Sequence, residues 1–270
     1  MRVCVVGSGL VGKNLVRALA ARGDQVTVLS NHPVELPALW RRCDAISGDG
    51  LRRGMQGAEA MVFAAAARGG PAVEELARQG ARHAISAAVH LGLERVVLVG
   101  PAGARAGATA ASLRAHHEAT AACRRAMPSL QVLRLPPMFG PDDALLSPWL
   151  DQVRHGKRLS VRHKDAILRP LWVGDAVRVL TGMVLGDIHR ELTQLQGPER
   201  HSLDEMASRV CARFSARRAL LSWGGDERPE DLARLPEQLD APDDWPALEL
   251  GERTTVAEYL DRWSRQHYSG

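Results

Sequence analysis

Val3-Cys-Val-Val-Gly7-Ser-Gly9-Leu-Val-Gly12-Lys13-Asn14 is the stretch on which the reading of this 270-residue chain turns. A short run of β-type residues ends in glycine. Leu10, Leu15 and Leu19, with Val11 and Ala18, then mark one face of a helix that stops at Gly23. Strand, glycine loop and helix in that order form the setting in which G-x-G-x-x-G carries chemistry. Gly7 permits the tight turn, Gly9 lets the backbone approach a pyrophosphate, and Gly12 allows close packing of helix on strand. The N-terminus of the helix, with Ser8, Leu10 and Val11 around it, offers N–H groups and a positive dipole end to the phosphates. The same residues nearly spell a P-loop, Gly7-x-x-x-x-Gly12-Lys13, but Asn14 stands where a Mg²⁺-binding hydroxyl belongs. The strand-like runs 61–66 and 95–99 also end without an Asp for the metal. A dinucleotide site is expected, and a nucleoside triphosphatase is not.

Outward from this loop, strand and helix alternate. Residues 25–30, 43–47, 61–66, 95–99 and 130–135 read as strands, most of them apolar on both faces; 73–91 and 109–125 read as helices. This predicts an α/β fold, a Rossmann-type doubly wound parallel sheet. After Pro136-Pro137 the elements shorten, with a strand at 168–173, a helix at 175–185, a further short run at 192–195 and a helix at 203–214. The expected organisation is a dinucleotide-binding domain over 1–140 and a smaller substrate lobe over 141–270, with 167–185 rejoining the main domain.

Composition excludes several classes. The net charge is +4, and arginines alternate with acids along most helices, which argues against a nucleic-acid partner. Cys4, Cys43, Cys123 and Cys211 are far apart and form no CxxC pair, as expected of reduced thiols in a cytoplasmic protein. The apolar run 60–67 is far short of a membrane span, and Lys13, Arg17 and Arg22 interrupt any signal-peptide core. His83 and His90 lie two helical turns apart and His116-His117 are adjacent; neither spacing suits a metal, and none is expected. No G-x-S-x-G elbow appears. The unusual feature is a shortage: Lys13, Lys157 and Lys164 are the only lysines, and Tyr259 and Tyr268 the only tyrosines.

The end of the second strand bears on the choice of cofactor. Ser30-Asn31-His32-Pro33 holds no acid, and the next is Glu35. A site selective for NAD places a carboxylate there, on the ribose hydroxyls. Without it a 2′-phosphate is not repelled, so NADP is favoured over NAD, with Ser30, Asn31 and His32 beside it. Arg41 and Arg42 are either further phosphate ligands or a solvated helix face.

Further motifs carry a resemblance. Gly48-Asp49, the run Gly57-Ala-Glu-Ala-Met-Val-Phe-Ala-Ala-Ala66 and Leu93-Glu-Arg-Val-Val-Leu-Val-Gly100 occur in order. Leu133-Arg-Leu-Pro-Pro-Met-Phe-Gly-Pro141 and Leu168-Arg-Pro-Leu-Trp-Val-Gly-Asp175 follow, then 195–206 and a closing Val256-Ala-Glu-Tyr-Leu260. Together they resemble the extended and atypical short-chain dehydrogenase/reductases, including the NAD-dependent epimerase/dehydratase and NmrA-like branches. The resemblance implies an NAD(P)-binding main domain with the active site between it and a C-terminal lobe. It also implies that Asp49 and Gly50 lie on the adenine side, that Ala64, Ala65 and Ala66 line the cofactor channel, and that Pro136 and Met138 border the nicotinamide ribose.

The departures are as informative. That family's glycine loop usually has one more residue between its first two glycines. Its catalytic Ser/Thr would follow the fifth strand, where Gly100-Pro101-Ala102-Gly103 stands, and its Tyr-x-x-x-Lys pair falls on Ser112 and His116. The lysine and the cofactor's charge serve to lower the tyrosine pKa for proton exchange with a substrate oxygen. Ser112 is no acid near neutral pH, whereas His116 is of the right type, with His117 and Glu118 adjacent to orient it. The other reading is a polar helix face in solvent.

On the substrate side the candidates are Pro101, His117, Arg169 and Trp172. Arg169 closes a basic stretch from 154, suited to an anionic small molecule or simply to an exposed loop. Trp149 and Trp172 either line a pocket or pack lobe on sheet. The expected activity is a reductase or oxidoreductase with a non-standard acid/base group, in a chain that can form a homodimer. The alternatives are a non-redox isomerase, cyclase or lyase on the same fold, and a dinucleotide sensor without turnover.

Overall fold

A computed structural model of the chain describes residues 1–67, 71–161, 163–217 and 235–268. Its centre is a seven-stranded sheet built from β1 (Arg2–Val6), β2 (Gln25–Ser30), β3 (Leu39–Arg42), β4 (Ala60–Phe63), β5 (Arg95–Pro101), β6 (Gln131–Leu135) and a late strand, Leu192–Gln194. The spatial order runs from Leu192–Gln194 through β6, β5, β4, β1 and β2 to β3, and every neighbouring pair is parallel. Chain order reverses between β1 and β4. That crevice, at the C-terminal ends of the strands, is where doubly wound sheets bind ligands.

Both faces of the sheet are covered because the strands are apolar on both sides. Val3, Val5, Val28, Val62 and Leu133 pack under α1 (Leu10–Ala21) and a later helix, Val173–Leu185. Cys4, Val6, Leu29, Met61 and Val132 face α2 (Leu51–Met55) and the outer helices. Those helices are α3 (Pro71–Glu75), continued through a π-helical turn at Leu76–Gly80 into α4 (Ala81–His90), and α5 (Ala111–Ala126). A third core joins Phe139, Leu146, Trp149, Leu150, Met206, Val210 and Tyr259. It belongs to α6 (Ser147–Arg154), α8 (Leu203–Phe214) and a C-terminal helix, Val256–Tyr268. Trp149 is part of this core, and its Nε1 donates to the carbonyl of Ser160 at 2.9 Å.

Three expectations are corrected. The third strand is β3, not 43–47. Asp44 Oδ1 accepts the N–H groups of Ile46 and Ser47 and turns the chain there, while Leu39–Arg42 pairs with the end of β2. Arg41 and Arg42 therefore stand on an edge strand and not on a helix. The single strand expected at 168–173 is two short bridges, Ile167–Leu168 and Leu171–Trp172, separated by Arg169-Pro170. The return to the main sheet also extends past 185, because Leu192–Gln194 adds its outermost strand beside β6.

A carboxylate ties the C-terminal segment to this core. Asp175, buried in the first turn of α7 (Val173–Leu185), accepts the backbone N–H of Thr254 at 2.8 Å and pairs with Arg178 at 3.0 Å. Arg178 continues to the carbonyl of Leu250 (3.0 Å), and its guanidinium lies 4.9 Å from the Trp245 ring centroid. Burial pushes the Asp175 carboxyl above its ordinary value, although Thr254 N–H and Arg178 pull the other way. A raised folded value means that the unfolded chain releases this proton first. The stability contribution of Asp175 is therefore complete below the unfolded value and falls as pH rises through the folded one. Asp175→Asn is expected to flatten this decline, read as a smaller difference in urea midpoint between acidic and neutral pH. Asp175→Ala leaves the Thr254 N–H unpaired and is expected to cost about 1–3 kcal/mol at neutral pH.

Candidate functional site

The glycine loop shows three different steric demands. Gly7, at φ +107°, donates to the carbonyl of Leu29 (2.8 Å), and a Cβ there would stand 2.5 Å from the N and Cα of Ala65. Gly12 has no room either, since its Cβ would overlap the carbonyl oxygen of Gly7. Gly9 differs: a Cβ would meet nothing within 4 Å. Gly9 is also the N-cap of α1, and no side chain caps that helix. Its first-turn N–H groups thus face open space beside a glycine, a cradle that fits a pyrophosphate. Ser8 and Leu10 flank it half-buried, while the Val11 side chain is committed to the core. Asn14 Nδ2 donates back to the Leu10 carbonyl at 2.8 Å, so it is turned away from any metal role.

The same edge gathers the residues that the resemblance places along the cofactor. Ala64 is buried and its N–H donates to Val6 O (2.8 Å); Ala65 abuts Gly7, and Ala66 is exposed beyond it. On the far side Pro101 ends β5 opposite Leu135, Ala102 N–H donates to Leu135 O at 2.8 Å, and Pro136 is buried next to it. Met138 is half-buried and pairs with Leu171 through the short strand β7 (Met138–Phe139).

At the end of β2 Ser30 is more constrained than its sequence suggests. Its hydroxyl donates to His32 O at 2.6 Å and accepts from Trp40 Nε1 at 3.0 Å, so it shapes the loop. Asn31 and His32 are exposed. Arg42 lies directly across from Ser30, and Gly50, at φ +82°, crosses so close that a Cβ would come within 2.5 Å of Arg42 O. Asp49 is exposed just before it.

The proton-transfer candidates lie on α5. A Cβ on Gly100 would stand 3.5 Å from His116 Nδ1, so the imidazole sits against the C-terminal end of β5. Thr120 Oγ1 donates to His116 O at 2.8 Å. Ser112 is half-buried one turn earlier on the same helix face, whereas His117 is about 100° further round. Lys13 and Tyr259 are engaged elsewhere. Lys13 is engaged with Asp142 at 2.8 Å, which holds that carboxyl below its ordinary value. Tyr259 is buried with its ring 5.5 Å from that of Phe139, and burial, with Asp143 and Asp142 adding to it, pushes its phenol far up.

The remaining substrate-side candidates are dispersed. Arg169 pairs with Asp243 at 3.3 Å, beside Arg253, which reaches the same carboxylate oxygen at 2.5 Å. Trp172 packs half-buried between the sheet core and the lobe core, with the Arg262 guanidinium 5.3 Å from its ring. Arg154, Lys157, Arg158 and Lys164 are exposed; Arg162 lies outside the described residues. An open groove of about 1300 Å³ lies between the outer helices, lined by Glu74, Arg78, Arg82, Val89 and Arg125, none of them at a strand end. Among the described residues no group of three His, Cys, Asp or Glu is placed to hold a metal, and no helix is long and apolar enough to cross a membrane.

Fold and loop define a dinucleotide-binding protein of the doubly wound class, and the comparisons agree. Residues 7–131 match the model of a family described as NAD(P)H-binding. No curated protein matches the sequence. Solved structures match in fold along the whole chain. MoeE5, in complex with UDP-glucose and NAD, gives a TM-score of 0.77 at 18% identity over 100% of both chains. TunA, an NAD-dependent NDP-hexosamine 5,6-dehydratase of tunicamycin biosynthesis, gives 0.76 at 17% over 97% of each. WbmH of Bordetella bronchiseptica, in complex with NAD⁺, gives 0.74 at 15% over 100% of this chain and 99% of that one. The chain thus has the fold of the NAD-dependent epimerases and dehydratases, as the ordered motifs imply.

The steric contrast within the loop makes a test. Gly9→Ala is expected to leave the thermal midpoint unchanged, because its methyl enters open space at an ordinary φ of −71°. It should nevertheless weaken dinucleotide binding at least about ten-fold, because that space is where the phosphates approach. Gly12→Ala should instead destabilise the fold by about 1–3 kcal/mol. Calorimetry and cofactor titration of the two variants separate the effects.

Proposed function

We propose that this chain is an NADP(H)-preferring enzyme of the short-chain dehydrogenase/reductase type that acts on a small organic molecule, with His116 as its acid/base group. The observation that carries the reading is the imidazole of His116 against Gly100, at the strand end that borders the dinucleotide crevice. The bound dinucleotide supplies or accepts a hydride; proton handling falls to side chains. Imidazole is the one unperturbed side-chain type that exchanges a proton near neutral pH. Ser112, one turn away on the same face, serves as a hydrogen-bonding group for the substrate oxygen and not as an acid. Two observations support an anionic substrate. The 154–164 stretch exposes Arg154, Lys157, Arg158 and Lys164; MoeE5 is solved with UDP-glucose, and TunA is an NDP-hexosamine dehydratase.

The preference for NADP(H) rests on the adenosine end. No carboxylate stands at the end of β2, and Arg42 lies across from Ser30 with Arg41 next to it. The missing Tyr-x-x-x-Lys pair favours a second reading, a dinucleotide-binding sensor or a non-redox catalyst on the same scaffold.

Cofactor titration followed by tryptophan fluorescence is expected to show NADPH binding about ten-fold tighter than NADH, with Arg42→Ala removing the difference. Equal affinities in the wild type would overturn the preference. With a carbonyl substrate found by screening, His116→Gln should lower kcat by about 100-fold or more at unchanged cofactor affinity. Unchanged turnover would defeat the acid/base role, and no turnover by the wild type across the screen would favour the sensor.

A further inference from the structure

Helix α5, which carries Ser112 and His116, begins without a cap of its own. Ala110 is its N-cap residue, and a methyl group accepts no hydrogen bond. The acceptor comes from the far end of the chain. Glu237, in α9 (Leu235–Leu239), has a side chain only 9% exposed, and its Oε1 accepts the N–H of Thr109 at 2.7 Å and of Ala110 at 3.1 Å. Its other oxygen meets Arg105 at 2.9 Å. A carboxylate from the C-terminal half thus stands at the positive end of the helix whose second turn holds His116.

The backbone around Glu237 is docked as closely as its side chain. Gly103, at φ +78°, lies where a Cβ would come within 2.6 Å of Glu237 O. Its N–H donates to Gln194 Oε1 at 3.4 Å, and Gln196 Nε2 donates to the carbonyls of Gln238 (2.5 Å) and Ala241 (3.2 Å). The loop from Gly103 to Ala110, between the end of β5 and the start of α5, is therefore clamped by α9 and the residues after it. The ion pair is the minor part of this clamp, since Arg105 is 58% exposed and exposed pairs contribute little. The two backbone N–H groups find no side-chain acceptor on Ala110 itself.

We propose that Glu237 is a positioning residue that fixes the start of α5, and through it the His116 imidazole against Gly100, so that the active helix is set only when the segment around 235–245 is docked. The role matters for catalysis only through the assignment of His116 as the acid/base group, so the test reads geometry separately from turnover. The full chain is labelled with ring-¹³C histidine, and the His116 signal is assigned by its loss in His116→Gln. Glu237→Ala is expected to shift the His116 ring resonance and its titration midpoint. It should also speed amide exchange in the first turn of α5 by about five-fold or more. Glu237→Gln retains a carbonyl acceptor for both N–H groups, so it and Arg105→Ala are expected to keep the wild-type ring signal. NADPH affinity should stay within about two-fold in all three.

A folded Glu237→Ala protein with an unmoved His116 signal would overturn the proposal. Should that variant fail to fold, Glu237→Asp, which draws the carboxylate back by one methylene, must move the signal, and an unmoved signal there overturns it equally. Unchanged turnover in His116→Gln would defeat the acid/base assignment while leaving the ring-shift result intact, so the two failures are distinguishable.

Discussion

The contact of α1 with the loop after β1 is the constraint on which the rest of the molecule depends. Gly12 lies against the carbonyl of Gly7, and Gly7 lies against the backbone of Ala65, so three segments meet at positions with no room for a methyl group. Those contacts fix β1, β4 and α1 relative to one another at the point where chain order reverses in the sheet. The opening for a pyrophosphate is what remains. Of the three glycines only Gly9 faces empty space, and it does so at the uncapped end of α1. Close packing and open space thus fall to different glycines of one hexapeptide.

The same economy extends to the titratable residues. Among the described residues Lys13 is paired with Asp142, and Tyr259 packs in the core around Phe139. Desolvation pushes the Tyr259 phenol away from the range in which it exchanges protons. What faces the end of β5 is the imidazole of His116. A site built this way is simpler than a tyrosine–lysine pair. A single imidazole in that place depends on the helix that carries it for its orientation.

Much of the scaffold was legible in the sequence because it rests on local pattern. Glycine spacing, apolar runs and helix stops place β1, α1, β2, β4, β5 and β6 within a few residues of where they lie. The errors fall where a local pattern is absent or is overridden. β3 is an edge strand with exposed Leu39, Arg41 and Arg42, so it shows no apolar run, while the apolar start of 43–47 is turned aside by the Asp44 side chain. At the site, the glycines and Ala64–Ala66 were readable as a motif. Ser30 was readable as a position, but its partner Trp40 was not, because a bond across two strands leaves no trace in spacing. Glu237 lies 128 residues from Thr109, and no periodicity connects them.

The shortage of lysine, at first only a compositional oddity, has a physical counterpart in the loops. Arg178 donates to the carbonyls of Leu250 and Glu252, Arg253 to Gln196, Arg114 to Ala108 and Thr109, and Arg134 to Ala104. Each joins a stretch of irregular backbone whose carbonyls have no helix or sheet partner to satisfy them. A guanidinium presents several donors in a fixed plane and is weakly hydrated, so it bridges two such acceptors at less desolvation cost than an ammonium. Asp175, Glu237, Asp243 and Asp244 do the converse and accept backbone N–H groups from distant segments. The C-terminal half is therefore held to the sheet by charged side chains bonded to main chain more than by ion pairs between side chains. Bonds of this kind are directional and short, and they screen poorly with salt. Such an attachment transmits position as well as affinity, which is what a helix without its own cap requires to hold a fixed place.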